Sequence, residues 1–241
     1  MNNRVINKSL VLHVVDIYRE NGAIYIFSLA WLQLKLLGLR LFGSRRTFNL
    51  GGDQYTYYYH SYNRTWMNER AVEISIIRTF VQRNPPQNIL EVGNVLSHYF
   101  PTYHDVLDKY EIASGVINED VVQFEANKKY DLIVSISTLE HVGWDENPKD
   151  STKIIRAIEN LKRCLAEKGT MVATLPVGYN QYLDTLLIEE KIKFTREFFL
   201  KRISEDNEWV ESDRNEVLQL KYGDPYPGAN GLVIGIIESA C

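Results

Sequence analysis

The 241-residue chain has only two cysteines, Cys164 and Cys241. They are too few and too far apart for a disulfide framework or a thiolate zinc site, so a reducing compartment fits best. Five histidines (His13, His60, His98, His104, His141) form no HExxH pair, and no metal is expected. The chain also lacks GxGxxG and a well-placed YxxxK, which argues against a dinucleotide oxidoreductase or epimerase. Repeats and low-complexity stretches are absent. A broad basic face is missing too: net charge is -4, which excludes a nucleic-acid partner held by counterion release.

What charge there is lies unevenly. Residues 1–50 carry seven Lys/Arg against Asp16 and Glu20. They also contain the most apolar run of the chain, 23–42, interrupted by Ser28, Gln33, Lys35, Gly38 and Arg40. A spanning helix would put Lys35 near mid-bilayer, at about 2.5–3.5 kcal/mol even on insertion scales. A cleaved signal is excluded by the late start and by the lack of a small-residue cleavage pattern before Arg45-Arg46. Two alternatives stay open for 23–42: a helix packed on the core or on a partner chain, and a helix lying in a membrane interface. The expected location is cytoplasmic, with or without peripheral membrane attachment.

Breaks at Gly51-Gly52, at Pro85-Pro86 and across 222–231 divide the remainder. Between the first two, Val72, Ile76 and Phe80 repeat at helical spacing, which predicts a helix over 65–82. From residue 88, short β-branched runs alternate with helical ones, the signature of a mostly parallel sheet with crossover helices. Strands are expected at 88–92, 104–108, 114–117, 130–136 and 170–175. A helix with Ile154, Ile158, Leu161 and Leu165 on one stripe should end at a C-cap Gly169. Residues 232–237 and 208–211 are expected to form a terminal antiparallel pair.

In such sheets ligands bind beyond the carboxyl ends of the strands. Polar and small residues gather at those tips, and a nucleoside makes sense of them. Gly93 would let the backbone approach closely, Asp108 could accept both ribose hydroxyls, and Asp120 could accept from an exocyclic amine. Plainer readings stand beside these: Asp108 as a helix cap or surface acid, Glu91 as a strand end.

The blocks ILEVGN (89–94), DVVQF (120–124), YDLIVSISTLEHV (130–142), LKRCLAEKG (161–169) and TMVATLP (170–176) resemble the class I S-adenosylmethionine-dependent methyltransferases. The resemblance spans about 65–180. It implies an α/β fold: a Rossmann-like, doubly wound, mostly parallel seven-stranded sheet with a C-terminal antiparallel pair, after an N-terminal helical extension. The domains implied are 1–64 (extension or cap) and 65–241 (methyltransferase). The cofactor implied is S-adenosylmethionine. Glu91, Gly93 and Asn94 would form the first cofactor loop, Asp108 would hold the ribose diol, Asp120 and Val121 the adenine, and Ser137 and Thr138 would pass under the methionine part. Val95 and Ser97 stand where the family usually has further glycines.

A sulfonium methyl is already activated, so the protein has mainly to align an acceptor and exclude water. For a hydroxyl acceptor a base helps, and His141 is the candidate, oriented by Asp145 or Glu140; a structural role at a helix start is the alternative. The aromatic segment 55–70 suggests Tyr62 and Trp66 as one wall of an acceptor site, or simply a packed cap, and Trp144, Tyr179 and Asn180 would line the other side. The acceptor expected is a small molecule, sugar or glycan hydroxyl. A methyltransferase-like binding or scaffold subunit without turnover is the competing reading.

Overall fold

The computed structural model describes residues 46–83 and 88–239, together with Gly22, Trp31, Leu34, Leu37 and Gly38. The chain divides into two compact units, residues 1–46 and 47–241. Of the first, the described positions are helical, with Trp31, Leu34 and Leu37 exposed. The reading of 23–42 otherwise lies outside the described residues. Among those described, no helix is long and apolar enough to cross a membrane.

The second unit opens with a hairpin, β1 (Thr47–Leu50) and β2 (Asp53–Thr56), turning on Gly51-Gly52. Phe48, Leu50, Tyr55 and Tyr57 are buried against Val72, Ile76 and Ile77 of α1 (Arg70–Arg83). Residues 47–64 therefore share the core of the sheet unit, and the compact boundary falls at 46/47 rather than the expected 64/65. The helix also starts later than expected, because residues 62–67 form a separate 3₁₀ turn broken by positive φ at Asn63 and Arg64.

The main sheet contains β3 (Ile89–Val92), β4 (Asp105–Leu107), β5 (Val116–Ile117), β6 (Tyr130–Ile136), β7 (Leu165–Pro176), β8 (Arg196–Arg202), β9 (Trp209–Glu211) and β10 (Gly231–Glu238). Their order is β5-β4-β3-β6-β7-β10-β8-β9. Strands β5 to β7 are parallel, while β10 runs antiparallel to both β7 and β8. The chain order reverses between β3 and β6. This is the expected α/β, doubly wound, mostly parallel sheet, with eight strands in place of seven.

Both faces are covered, as the nearly continuous apolar run of β6 requires. Leu132, Val134 and Ile136 pack toward α1 and the hairpin. Ile133 packs toward α2 (Lys153–Cys164) and α3 (Gln181–Ile188) with Ile154, Leu161, Leu183 and Leu187.

Three expectations need correction. The strand at 209–211 pairs with β8, not with β10; β8 was missed because Arg196, Glu197, Lys201 and Arg202 hide its short apolar centre. Gly169 is no C-cap: α2 ends at Cys164 and the chain enters β7 at Leu165. There the strand pairing shifts register, and a Cβ on Gly169 would lie 2.8 Å from the Tyr130 carbonyl. Finally, the connections among β3, β4, β5 and β6 hold no α-helix, only a 3₁₀ turn at 96–98 and loops. Strands of two to four residues expose little surface to cover, and Val121 and Phe124 from the last loop suffice to join the core.

Candidate active site

At the carboxyl ends of β3 to β6 lies a cavity of about 560 Å³, where the strand order reverses. Its walls include Val92, Leu107, Val121 and Val142, and acids that include Asp108, Glu111, Asp120 and Glu146. The chain leaves β3 through Gly93, whose φ is +88° and whose N–H donates to the Leu107 carbonyl at 2.8 Å. A Cβ here would sit 2.2 Å from Thr138 Oγ1. Glycine is thus required by conformation and by space. Thr138 lines the cavity as expected.

Glu91 and Asn94, expected to meet the cofactor, work behind the loop instead. Glu91 is fully buried; its Oε1 accepts from the N–H groups of Val95 (2.8 Å) and Leu96 (2.7 Å), and its Oε2 lies 2.7 Å from His104 Nε2. It pins the turn that replaces the missing glycines. Leu96 is buried in the core on the α1 side, and neither it nor Val95 lines the cavity. Asn94 donates its N–H to Asp108 Oδ2 (3.1 Å) and its Nδ2 to Glu111 Oε1 (2.6 Å), tying the first loop to the second.

Asp108 does face the cavity. Its Oδ1 accepts the N–H groups of Tyr110 and Glu111, each at 2.8 Å. Such charge-assisted bonds fix the carboxylate in place. Asp120 also faces the cavity, within a cage that the sequence did not reveal. Lys153 Nζ lies 2.5 Å and Lys109 Nζ 3.0 Å from Asp120 Oδ2, and both lysines also reach Glu146. Burial works to raise the Asp120 pKa, but the two ammonium groups prevail and hold it at about 2. No spacing rule links Asp120 to Lys153, 33 positions on, at the start of α2. Val121 lines the cavity beside it.

A second cavity, of about 450 Å³, adjoins the carboxyl ends of β6 and β7; Arg64, Glu69, Arg70, Glu140, Tyr179 and Tyr222 lie on its walls. His141 lines both cavities. Its Nδ1 is 2.5 Å from Asp145 Oδ2, which also accepts the Tyr179 hydroxyl at 2.7 Å. Burial opposes, but these two bonds hold the Asp145 carboxyl below the usual range. With Nδ1 committed to Asp145, Nε2 is the ring nitrogen free to take a proton. The Tyr179 hydroxyl is pushed well up by burial and by Asp145, so it stays a donor.

Ser137 falls in this second cavity rather than under the first. It follows β6 with φ of 39°, and its Oγ donates to Glu73 Oε1 at 2.5 Å. Glu73, fully buried on α1, also accepts from Thr174 Oγ1 (2.6 Å) and Arg70 (2.8 Å). This polar floor of Glu69, Arg70 and Glu73 is the other feature missed. Helical spacing alone does not separate a solvent-facing stripe from a buried ionic one.

Four expected acceptor residues line neither cavity. Tyr62 stacks on His98 with centroids 4.4 Å apart. Trp66 is buried beneath. Trp144 lies under Lys149 Nζ at 3.7 Å. Asn180 caps α3 through Oδ1 and donates Nδ2 to the Glu140 carbonyl at 2.8 Å. Only Tyr179 of that set reaches the cavity. Among the described residues, no group of three or more His, Cys, Asp or Glu is placed to hold a metal ion.

No family model and no curated protein matches the sequence. Solved structures do resemble the chain. The N-methyltransferase NodS from Bradyrhizobium japonicum WM9, bound to S-adenosyl-L-homocysteine, aligns at TM-score 0.47 and 16% identity over 71% of this chain and 87% of its own. The plantazolicin methyltransferase BpumL aligns at 0.39 and 14% (70% and 83%). The sugar N-methyltransferase KedS8 from Streptoalloteichus sp ATCC 53650 aligns at 0.33 and 13% (72% and 74%). By its strand order, the chain has a Rossmann-like, doubly wound, mostly parallel sheet with antiparallel strands at its C-terminal end. Fold alone does not carry function, which has to be argued from the two cavities and the histidine between them.

Proposed function

We propose that the protein is an S-adenosylmethionine-dependent methyltransferase acting on a hydroxyl of a small molecule, sugar or glycan. The observation that carries this is His141, backed by Asp145, standing between a nucleoside-sized cavity and a second, polar one.

The residues present fit the cofactor. Asp108 is held rigidly at the second strand tip, where a ribose diol would lie, and Asp120 with Val121 at the third, where an adenine would. Gly93 leaves a cradle that any Cβ would fill. Bound there, S-adenosylmethionine would supply a methyl group activated by the positive sulfur, which would keep the electron pair of the broken S–C bond as the acceptor oxygen gained the methyl. His141 Nε2 takes the acceptor's proton, and Asp145 steadies the imidazolium that results. Tyr179, bonded to Asp145, keeps the pair facing the acceptor side. Alignment and exclusion of water supply the rest of the acceleration.

The test is transfer of labelled methyl from S-adenosylmethionine into fractionated small metabolites and glycan precursors. The label is expected in one acceptor fraction and should fall with His141→Ala. A folded chain that binds S-adenosylhomocysteine but labels nothing, in any fraction, supports the binding-subunit reading instead.

A further inference from the structure

We infer that the acceptor is a vicinal amino alcohol, its ammonium held by Glu140 while its neighbouring hydroxyl faces His141. The inference rests on the methyl-transfer reading and names the substrate class of the same site.

Glu140 is 2% exposed, and its Oε2 has no hydrogen-bond partner among the described residues. Asn180 Nδ2 holds the Glu140 backbone carbonyl at 2.8 Å, and Glu140 lies on the wall of the second cavity. A buried carboxyl oxygen left without a partner carries its full desolvation penalty, larger still when charged. The hydrogen bonds of the neighbouring charged groups go elsewhere. Arg70 Nη1 serves Glu73 Oε2 and the Ile136 carbonyl, and both Glu73 oxygens are occupied. Glu69 Oε2 accepts the Ala229 N–H at 3.3 Å.

The ligand is placed to bring the missing polar partner, and an ammonium is the group that would leave Glu140 ionised and paired. Three carboxyls, Glu69, Glu73 and Glu140, gather about the half-buried Arg70, with the buried Arg202 acting on Glu69 and Arg64 exposed on the wall. Burial, with help from the Glu73 charge and against that of Arg70, holds Glu140 well above the usual carboxylate range. An arriving ammonium would release that proton. The Tyr179 and Tyr222 rings, 5.3 Å apart and edge to face, add aromatic surface for a cation.

Spacing then sets the substrate's geometry. Glu140 Oε1 lies 3.7 Å from His141 Nε2, so the carboxyl and the base are close enough to engage groups on neighbouring carbons. The ammonium keeps its protons and takes no part in bond making. The methylated oxygen gives its proton to His141 as before.

The full chain, saturated with S-adenosylhomocysteine, is titrated calorimetrically with ethanolamine, ethylene glycol and N-acetylethanolamine. Ethanolamine is expected to bind at least tenfold more tightly than either neutral probe. Glu140→Gln should abolish that preference while leaving the S-adenosylhomocysteine affinity unchanged, which also reports that the variant is folded. Parent protein that binds the cofactor product but prefers no ammonium overturns this inference alone, as does a preference that survives in a folded Glu140→Gln. Failure to bind S-adenosylhomocysteine at all removes the methyl-transfer reading and this inference with it.

Discussion

Replacing Gly93 with alanine tests the cavity's construction at one atom. The backbone there has φ of +88°, and the new methyl would meet Thr138 Oγ1 at 2.2 Å and Thr138 Cγ2 at 2.7 Å. Backbone strain at such a residue is of order 1–3 kcal/mol. Overpacking adds about 1–3 kcal/mol, because Thr138 must move and its hydroxyl gives up the Ile136 carbonyl. The expected total is about 2–6 kcal/mol. Since Gly93 and Thr138 both line the cavity, S-adenosylhomocysteine affinity should fall at least tenfold as well. Thr138→Ala in the same chain removes the two closest contacts, leaving the residue-138 Cβ at 3.0 Å, but does not relieve the strain. Urea unfolding of the double variant should therefore return the overpacking part and retain about 1–3 kcal/mol of loss. A Gly93→Ala protein with parental stability and affinity would refute the reasoning, and a double variant no better than the single would refute the role given to Thr138.

Other perturbations follow from the same geometry. His141→Ala should lower kcat by about 10²–10⁴-fold with little change in S-adenosylhomocysteine affinity, measured by calorimetry beside steady-state kinetics; Asp145→Asn should do less. Asp108→Asn loses charge-assisted bonds worth about 1.5–3 kcal/mol each, so cofactor-product affinity should weaken about tenfold or more. Asp184, on α3, is raised by burial from 3.8 to about 6, against the opposing bond from the Gly178 N–H. The folded chain then binds the extra proton, so this group's contribution to stability is full below pH 3.8 and is lost as pH rises through about 6. Asp184→Asn should be more stable than the parent at pH 8 by urea titration, with the difference shrinking toward pH 4. Trp31, Leu34 and Leu37 are exposed in the basic leader, and flotation with anionic vesicles should drop when all three become serine. Unchanged flotation removes the membrane proposal for 23–42.

The parts of the molecule legible in sequence are those with strong local periodicity. The 130–136 strand and the helix carrying Ile154, Ile158 and Leu161 stand where their patterns put them, because each buries a continuous apolar stripe. Gly93, Asp108, Asp120, Val121 and Thr138 were readable as strand-tip residues and all line one cavity. Roles that depend on tertiary neighbours were not. Glu91 looks like a ligand-binding acid until His104 and the Val95 and Leu96 amides are seen around it. The Lys109–Asp120–Glu146–Lys153 cage joins distant segments, and nothing local announces it. Likewise Tyr62, Trp66 and Trp144 are rich in aromatic surface, yet spend it on His98, on the core and on Lys149. Aromatic density marks packing as readily as binding.

The central claim is that a nucleoside rests over the strand tips between Asp108 and Asp120. Calorimetric titration of the full, folded chain with S-adenosylhomocysteine addresses it most directly. One molecule should bind per chain, and Asp108→Asn should weaken it. A folded parent that gives no heat and no displacement at millimolar ligand would contradict the account.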